Sequence, residues 1–451
     1  MDLLALFTPA EMALADAAAP GLGAPVVGLM AAGAAVAAAI VARFAPAPVL
    51  VLAGPGNNGG DGRVAAARLS ALGWPVRVLA IGDARPADAA GAAIVVDAVF
   101  GAGLAREVSP EVARVLAAAR RVVAVDVPSG LDGATGLVRG VAAQAALTVT
   151  FVARKPGHLL LPGRALCGEV VCADIGMPSA ALPVPRAWEN APGLWRLPRP
   201  GAGDHKFSRG HVTVLGGAEM TGAARLAAGA ARRVGAGLVS IAALGRGDVY
   251  RAGEPGLLVT DAAVAVLLED RRRTVWVAGP GLGEADAARE IPPLLAAERL
   301  VVVDADGLRG APESFRGAAV LTPHAGEFAR VFGPPGADRL AAVRAAAERT
   351  GAVVVLKGAD TIIAAPDGRV AINANAPPWL ATAGAGDVLA GIVAGLLAQG
   401  MAAFPAACAG VWLHGAAAGL AGPGLVAEDL APLLAQAAAC ASAWRDGGSA
   451  G

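Results

Sequence analysis

A glycine-rich segment near the N-terminus carries side chains that could bind and protonate a ligand. Residues 54–62 read GPGNNGGDG and follow the β-branched run Val49–Ala53. Glycine lets backbone N–H groups approach a phosphate closely, and the start of the predicted helix Arg63–Leu72 adds donors. Asp61 could exchange protons with the ligand. The alternative is that Asn58 or Asp61 only caps the helix. The segment favours binding of a phosphate-bearing ligand.

Two further strand ends carry oxygen ligands. Asp97 follows the run Ile94–Val96, and Asp126 and Ser129 follow the next β-branched run. If these strands are neighbours, the three side chains meet Asn58 at one sheet edge, where open α/β sheets bind ligands. Oxygen donors suit a hard cation, and a set with few carboxylates suits a monovalent one. The alternative is that each carboxylate caps an adjacent helix.

A second constellation lies near the C-terminus. Residues 382–387 read TAGAGD and precede the apolar run Val388–Ala398, which we expect to be a helix. Backbone donors at such a helix start can stabilise charge on a transferring phosphoryl group, and Asp387 can accept a proton from a substrate hydroxyl. A carboxylate in a first helical turn can also serve only to compensate the helix dipole.

Three turns are expected to complete the second cleft. Residues 279–283 (GPGLG) follow the strand Val275–Ala278, and residues 322–327 (TPHAGE) would point His324 towards the cleft. Residues 357–361 (KGADT) connect two adjacent strands and could embrace the phosphates of a nucleotide. The alternatives are a buried structural histidine and an exposed hairpin lysine.

The elements that position these residues alternate between β-branched runs and Ala-rich stretches of helical length. This pattern predicts parallel sheets with helices on both faces. A Pro-rich stretch, residues 182–203, separates two such regions. We therefore predict an α/β fold of two tandem three-layer αβα domains, residues 1–185 and 204–446, joined by a linker at 186–203. The predicted strands are Val49–Ala53, Val76–Ile81, Ile94–Val99, Val122–Val127 and Leu147–Val152 in the first region, and His211–Leu215, Leu238–Ala242, Val275–Ala278, Leu300–Val303, Val353–Leu356 and Thr361–Ala364 in the second.

The composition disfavours several classes of protein. The 451 residues carry 37 basic and 37 acidic side chains, so we expect no nucleic-acid partner. The spacing of the four cysteines and five histidines gives no transition-metal site and indicates a reducing, cytoplasmic compartment. Residues 17–42 and 388–427 are uncharged, but their prolines and small residues favour helices buried in a soluble domain over membrane spans. The second run should divide into two helices around Gly400.

The N-terminal motifs resemble the NAD(P)H-hydrate epimerase family. The resemblance rests on residues 8–16 (TPAEMALAD), 54–62, 97–104 (DAVFGAGL) and 126–133 (DVPSGLDG), and it covers nearly all of residues 1–180. It implies a Rossmann-like domain that interconverts the R and S forms of NADH or NADPH hydrated at C6, with Asp61 and Asp126 as catalytic residues and potassium held by Asn58, Asp97 and Ser129. The implied binding residues for the hydrate are Asn57, Asn58, Gly59, Gly60, Asp61, Gly101, Ala102, Gly103, Leu104, Ala105, Arg106, Glu107 and Asp126.

The C-terminal motifs resemble the ribokinase-like ADP-dependent NAD(P)H-hydrate dehydratase family. The resemblance covers roughly residues 200–440 and includes residues 205–240, the three turns named above and ATAGAGDVLAGI at 381–392. One departure is Pro377-Pro378-Trp379, where the family more often has a glycine-containing turn. The implied hydrate-binding residues are Ala223, Gly281, His324 and Asp387, and the implied nucleotide-binding residues are Lys357, Gly358, Ala359, Asp360, Thr361 and Gly386.

Together the two resemblances imply a bifunctional NAD(P)H-hydrate repair enzyme. ADP would phosphorylate the C6 hydroxyl with Asp387 as the catalytic base, and loss of phosphate would restore NAD(P)H. Magnesium would accompany the nucleotide because phosphoryl transfer needs its charge neutralised. The expected partners are NADHX, NADPHX and ADP, within a homo-oligomer. The alternatives are a ribokinase-like kinase of vitamin precursors and a nucleotide-sensing scaffold without activity.

Overall fold

The computed structural model describes residues 3–22, 29–104 and 106–447. The chain divides into two compact units, Met1–Ala187 and Trp188–Gly451. Both units are built around a largely parallel sheet, as the alternation of strand and helix patterns predicts.

The sheet of the first unit follows the order β3-β2-β4-β5-β6-β7, and every neighbouring pair is parallel. The strands of this unit are β1 (Ala5–Leu6), β2 (Val49–Ala53), β3 (Val76–Ala80), β4 (Ile94–Ala98), β5 (Val122–Val125), β6 (Ala145–Phe151) and β7 (Glu169–Ala173). The α-helices are α1 (Pro9–Ala18), α2 (Leu29–Val41), α3 (Asn57–Ala71), α4 (Pro86–Gly91), α5 (Pro110–Ala117) and α6 (Gly163–Cys167).

Strand β2 shows why this unit has three layers. All five of its residues are buried and apolar, as expected for a strand covered on both faces. Val49 and Val51 pack in one cluster with residues of α2 and α3, whereas Leu50 and Leu52 pack in a second cluster with residues of α4 and α5. Because successive side chains of a strand point to opposite faces, the sheet lies between two helical layers.

The sheet of the second unit runs in the order β8-β17-β16-β15-β14-β13-β12-β9-β10-β11. Neighbouring strands from β15 to β11 are parallel, and β15, β16 and β17 form an antiparallel meander. The strands are β8 (Ala187–Glu189), β9 (His211–Leu215), β10 (Leu238–Ala242), β11 (Leu258–Thr260), β12 (Val275–Ala278), β13 (Leu300–Val303), β14 (Val320–Leu321), β15 (Val353–Leu356), β16 (Thr361–Ala364) and β17 (Val370–Asn373). The α-helices are α7 (Thr221–Arg233), α8 (Gly247–Arg251), α9 (Val264–Glu269), α10 (Glu284–Ala296), α11 (Ala325–Phe332), α12 (Arg339–Thr350), α13 (Ala385–Ala398), α14 (Ala403–Ala421) and α15 (Ala427–Gly447).

The long apolar run near the C-terminus forms two helices, α13 and α14, on either side of Gly400, as predicted. Gly400 has a φ of 90°, which ends the first helix. By length and composition α14 could cross a membrane, and 67% of its most apolar window is buried inside the structure. Of the other uncharged run, residues 17–42, positions 23–28 lie outside the described residues.

Two helix starts differ from the sequence predictions. Helix α3 begins at Asn57 rather than Arg63, and α13 begins at Ala385 rather than Val388. The low helix propensity of glycine favoured a later start, but packing against the sheet holds these residues in helical conformation. Asp61 therefore lies inside α3 rather than in the loop before it, whereas Asp387 lies in the first turn of α13, as expected.

Much of the predicted linker 186–203 is part of the second unit. The indole Nε1 of Trp195 donates to Asn190 Oδ1 at 3.0 Å, and the amide of Asn190 donates to Asn373 Oδ1 at 2.9 Å and to the Cys408 carbonyl at 2.8 Å. Trp195 is only 4% exposed. The proline content suggested an independent segment, but burial of this indole ties the segment to the core.

Candidate functional sites

A cleft of about 950 Å³ opens at the carboxyl ends of strands β2, β4 and β5. This is the edge of a parallel sheet at which ligands bind. Ala105 lies outside the described residues, and Gly59, Gly60 and Glu107 do not line the cleft. The lining residues predicted from sequence are Asn57, Asn58, Asp61, Gly101, Ala102, Gly103, Leu104, Arg106 and Asp126.

Asp61 lies in α3 with its carboxyl group beside the cleft. The residue is 8% exposed, and its carboxyl has no hydrogen-bond partner in the described parts of the chain. The N-cap of α3 is Gly56, with no side-chain capping bond, so the capping alternative is wrong. Burial, together with the nearby negative charge of Asp126, raises the pKa of Asp61 to about 7. Asp61 can therefore hold a proton near neutral pH.

Asp126 has the opposite environment. Its Oδ1 accepts from Lys155 Nζ at 2.7 Å and from Thr150 Oγ1 at 2.9 Å, and its Oδ2 accepts from the Ala102 N–H at 3.0 Å. Burial raises the pKa of Asp126, but the Lys155 charge and these hydrogen bonds outweigh it and lower the pKa to about 2. A φ of 69°, rare for a residue with a side chain, indicates a constrained position.

Lys155 and His158 form a second layer behind Asp126. The backbone N–H of Lys155 donates to His158 Nδ1 at 2.9 Å, so the ring proton resides on Nε2 and is donated to the Asp126 carbonyl at 2.8 Å. Burial and the Lys155 charge lower the pKa of His158 to about 4, which keeps the ring neutral. The sequence analysis did not identify either residue. The scarcity of lysine could have drawn attention to Lys155, because only three of the 37 basic residues are lysines.

The four polar side chains predicted to meet at this sheet edge lie in two adjacent groups. Asp97 is bonded to Ser129, and Asp126 and Asn58 lie on either side of Gly101. Asp97 is fully buried and accepts from the Ser129 N–H at 2.8 Å and the Ser129 hydroxyl at 2.6 Å, so it holds a loop and caps no helix. A Cβ added at Gly101 would lie 3.3 Å from Asp126 Oδ2 and 3.4 Å from Asn58 Oδ1. The Asn58 Nδ2 is buried without a hydrogen-bond partner among the described residues.

In the second unit, Asp387 lies in the first turn of α13, after an N-cap glycine with a φ of 85°. Its carboxyl has no hydrogen-bond partner within the described ranges. Burial and the charge of Asp304 raise the pKa of Asp387 to about 6, although Lys357 opposes the shift. Asp387 is thus ionised above pH 6 and can accept a proton, which goes beyond simple dipole compensation.

Lys357 is not an exposed hairpin lysine. Its ammonium lies 2.6 Å from Oδ1 of Asp304, a residue that is 1% exposed. A Cβ added at Gly386 would lie 3.2 Å from Lys357 Nζ and 3.6 Å from Asp304 Oδ2, so this ion pair lies against the start of α13. Asp304 was not identified from sequence, although its position directly after β13 matches that of the other strand-end aspartates.

Ala223 and Gly281 lie next to each other, as the proposed hydrate site requires. Gly281 has a φ of 60°, and a Cβ added there would lie 3.0 Å from the Ala223 Cβ. A Cβ at Gly217 would lie 1.7 Å from the Gly281 carbonyl oxygen. Only glycine fits at these two positions, because any side chain would collide with the opposite backbone.

His324 is exposed, so the alternative of a buried structural histidine is wrong. Its side chain is 60% exposed and caps α11: Nδ1 accepts from the Gly326 N–H at 3.0 Å, and the Glu327 carboxylate accepts from the His324 N–H at 2.8 Å. This capping box fixes the imidazole ring.

The turn of residues 357–361 is shaped by its own side chains. The Asp360 carboxylate accepts from Arg339 Nη1 at 2.9 Å, and the Thr361 hydroxyl donates to the Gly358 carbonyl at 2.8 Å. These two side chains are therefore engaged in holding the turn. The backbone at Gly358 and Ala359 is the part of the turn best suited to contact a nucleotide.

The segment Pro377–Trp379, which differs from the usual family sequence, is anchored to α14. The Trp379 indole donates to the Ala418 carbonyl at 2.8 Å, and the side-chain amide of Asn375 donates to the Trp412 carbonyl at 2.9 Å. These contacts fix the segment of the two prolines and the tryptophan against α14.

Two known families match the sequence. The NAD(P)H-hydrate dehydratase family matches residues 212–439, and the YjeF-related protein N-terminus matches residues 28–92 and 82–157. The chain is 39% identical over 383 residues to the bifunctional NAD(P)H-hydrate repair enzyme Nnr of Mycobacterium tuberculosis, covering 78% of this chain and 79% of that protein. It is 36% identical over 445 residues to the enzyme of the same name from Coxiella burnetii, covering 88% and 91%.

Among solved structures, one similar protein is the ADP/ATP-dependent NAD(P)H-hydrate dehydratase from Bacillus subtilis co-crystallised with ATP/Mg²⁺. It is 30% identical with a TM-score of 0.50, and the match covers 54% of this chain and 94% of that one. The epimerase family predicted for the N-terminal part is thus supported by a sequence match. The dehydratase family predicted for the C-terminal part is supported by both sequence and fold. The chain belongs to the bifunctional NAD(P)H-hydrate repair enzymes.

Proposed function

We propose that this chain repairs hydrated NADH and NADPH. The first unit epimerises the R and S hydrates, and the second dehydrates the S hydrate at the expense of ADP, giving AMP and phosphate. The observation that carries the proposal is shared by both units. A carboxyl near the start of a helix, buried at Asp61 and half-buried at Asp387, has no hydrogen-bond partner among the described residues and lies beside a lysine–aspartate ion pair.

The first cleft offers two carboxyl groups with opposite protonation. Inverting the hydroxyl-bearing C6 requires proton transfers to and from the hydrate. A pair of acids whose environments separate their pKa values can divide this task. We assign proton donation to Asp61, with its pKa of about 7, and proton acceptance to Asp126, with its pKa of about 2. The expected hydrate contacts are those listed for this cleft, together with Ala105; Gly59, Gly60 and Glu107 do not line it and are not assigned to the hydrate.

In the second unit we assign Asp387 as the base that takes the C6 hydroxyl proton while the β-phosphoryl group of ADP is transferred. The ring nitrogen lone pair then expels phosphate from C6, and loss of a proton from C5 to solvent restores the C5–C6 double bond. Ala223, Gly281 and His324 would contact the hydrate. Residues 357–361 and Gly386 would contact the nucleotide, with the backbone of the turn supplying donors.

Magnesium with the nucleotide is supported by the Bacillus subtilis dehydratase, which was co-crystallised with ATP/Mg²⁺. Potassium in the first unit would be held by Asn58, Asp97 and Ser129. The support is the buried amide of Asn58: its Nδ2 lacks a partner, and a flip of the amide would present an oxygen there instead. Potassium would supply positive charge beside the hydrate site.

Residues 1–185 would then act as the epimerase domain, and residues 204–446, together with the packed segment around Asn190 and Trp195, as the dehydratase domain. We further propose a cytoplasmic homo-oligomer that binds neither membrane nor nucleic acid. Equal numbers of acidic and basic residues and the reducing compartment inferred from cysteine usage support this placement.

The proposal is tested with pure R and S hydrates of NADH and NADPH, each supplied with ADP or ATP. Recovery of NAD(P)H absorbance from both epimers with a nucleotide supports the bifunctional activity. Recovery from the S hydrate alone would remove the epimerase assignment. Nucleotide binding without any recovery would favour the scaffold, and phosphorylation of a vitamin precursor instead would favour the kinase.

A further inference from the structure

We propose that Lys155 is the positioning residue that keeps Asp126 ionised as the proton acceptor of the first cleft and leaves Asp61 to carry the proton. This inference rests on the proposed epimerase function and deepens it. None of the family motifs that identified the cleft contains Lys155, which lies at the end of the segment following β6.

The geometry fixes the Lys155 ammonium in one place. Its side chain is 6% exposed, and Nζ donates to Asp126 Oδ1 at 2.7 Å, to Thr150 Oγ1 at 2.8 Å and to the Phe151 carbonyl at 3.3 Å. An ammonium has three donors, and all three are used. Thr150 in turn donates to the same oxygen of Asp126 at 2.9 Å. The lysine is therefore held as a point charge against one oxygen of the carboxylate.

The other charged and titratable groups around this carboxylate explain why the lysine is needed. Asp61 faces it from α3 and Asp16 from α1, and burial raises the pKa of Asp16. His158 is neutral, and the half-buried Arg154 and the exposed Cys172 complete the surroundings. Without Lys155 three carboxyl groups would share one cleft with no ammonium against Asp126, and Asp126 would take up a proton.

The spacing of donors also explains why this position is lysine in a chain that otherwise uses arginine. A planar guanidinium presents five N–H donors in a fixed fork and could not converge on three acceptors around one point. The compact ammonium can. Protonation of Asp126 would place a second acid beside Asp61, and neither group could then accept the proton of the hydrate.

The test compares the pH dependence of epimerisation in the full-length wild type, Lys155→Met and Lys206→Met. Lys206 is an exposed lysine of the second unit and serves as the matched control. At pH 6.5 we expect the epimerase activity of Lys155→Met to be at least about 100-fold lower than that of the wild type, the size of a general-base contribution. The remaining activity should increase about tenfold for each unit by which the pH is raised. A uniform decrease with an unchanged pH profile would overturn the proposal.

A second measurement decides the question even if Lys155→Met has no activity at any pH. The Asp126 carboxyl is titrated by NMR in protein labelled with ¹³C at aspartate side chains, and Asp126→Asn identifies its signal. We expect Asp126 to stay ionised down to the lowest pH that the wild type tolerates, and to titrate at least two pH units higher in Lys155→Met. Equal titration in both proteins would overturn the proposal. Because no substrate is needed, this result is independent of whether the wild type epimerises the hydrate. Unchanged signals of the other first-unit aspartates that lie outside the cleft verify that this unit is folded in the variant.

Discussion

At the scale of single residues, the buried Asp61 and the half-buried Asp387 are acids whose ionised forms the protein stabilises poorly. Neither carboxyl has a hydrogen-bond partner among the described residues, and burial raises the pKa of both. A group arranged in this way serves a ligand rather than the fold, and its ionisation costs stability. This cost gives each acid a measurable pH signature.

For Asp61 the signature is in thermal stability. Below pH 3.8 both the folded and unfolded chains hold the proton. Between pH 3.8 and about 7 only the unfolded chain releases it, so the free energy of unfolding falls as the pH rises. We expect Asp61→Asn to raise Tm by a few degrees at pH 8.5 and to change it less at pH 5. Calorimetry at the two pH values checks this, and an equal shift at both would contradict it.

For Asp387 the signature is in catalysis. A base with a pKa of about 6 is protonated below that pH. A plot of kcat/KM for dehydration against pH should therefore have an acidic limb, decreasing as the pH falls below about 6. Asp304→Asn should move this limb to lower pH, because it removes a nearby negative charge and frees Lys357 to act on Asp387. Asp367→Asn, which breaks an exposed pair with Arg369 in the same unit, is the control. A limb that stays at pH 6 in Asp304→Asn would contradict the assignment.

Lys155 and Asp304, two of the residues missed from sequence, share one property. Lys155 pairs with Asp126 and Asp304 pairs with Lys357, across 29 and 53 positions of the chain. Such pairs are created by strand order, which local spacing does not reveal. The glycine–carboxylate segments were recognisable because Asp61 and Asp387 lie within a few residues of their glycines. For the lysines of these pairs the composition was the one further clue, because lysine is rare in this chain.

At the scale of elements, close helix packing places Asp387. Helix α13 crosses α7 so closely that a Cβ at Gly391 would lie 2.0 Å from the Ala227 carbonyl oxygen. We expect Gly391→Ala to separate the helices, to destabilise the chain by about 1–3 kcal/mol and to lower dehydratase activity. Gly419→Ala, at an open position of α14, should instead stabilise by about 0.5–1 kcal/mol through helix propensity.

Chemical denaturation of both variants measures these effects. Similar stability changes for Gly391→Ala and Gly419→Ala would show that the tight contact between α7 and α13 contributes nothing. Epimerase activity should be preserved in both proteins, because neither glycine belongs to the first unit.

The strands were largely predictable from sequence. The bounds of β2, β9, β10, β12, β13, β15 and β16 coincide with the predicted runs, because buried parallel strands are continuous apolar segments. Strand β7, in which Glu169 and Cys172 are exposed and the other three residues are partly buried, was missed because it has no such run. The helix starts at Asn57 and Ala385 were missed because glycine obscures the helical signal.

At the scale of the whole molecule, two units of different strand order arrive at the same arrangement. Two of the three lysines in the chain form ion pairs with strand-end aspartates, and each pair lies beside a carboxyl of raised pKa. Joining the activities in one chain has a chemical reason, because a dehydratase that accepts one epimer needs the other to be converted. The linker prediction was wrong in part because tryptophan burial overrides what proline content suggests.

The central claim is that two separate clefts act on the same damaged nucleotide. The most direct test supplies a mixture of R and S hydrate with ADP to Asp126→Ala and to Asp387→Ala, and follows both epimers and NAD(P)H by chromatography. Asp387→Ala should form no NAD(P)H yet still interconvert the epimers. Asp126→Ala should consume the S hydrate and leave the R hydrate to its uncatalysed rate. Loss of both reactions in either folded variant would contradict the account.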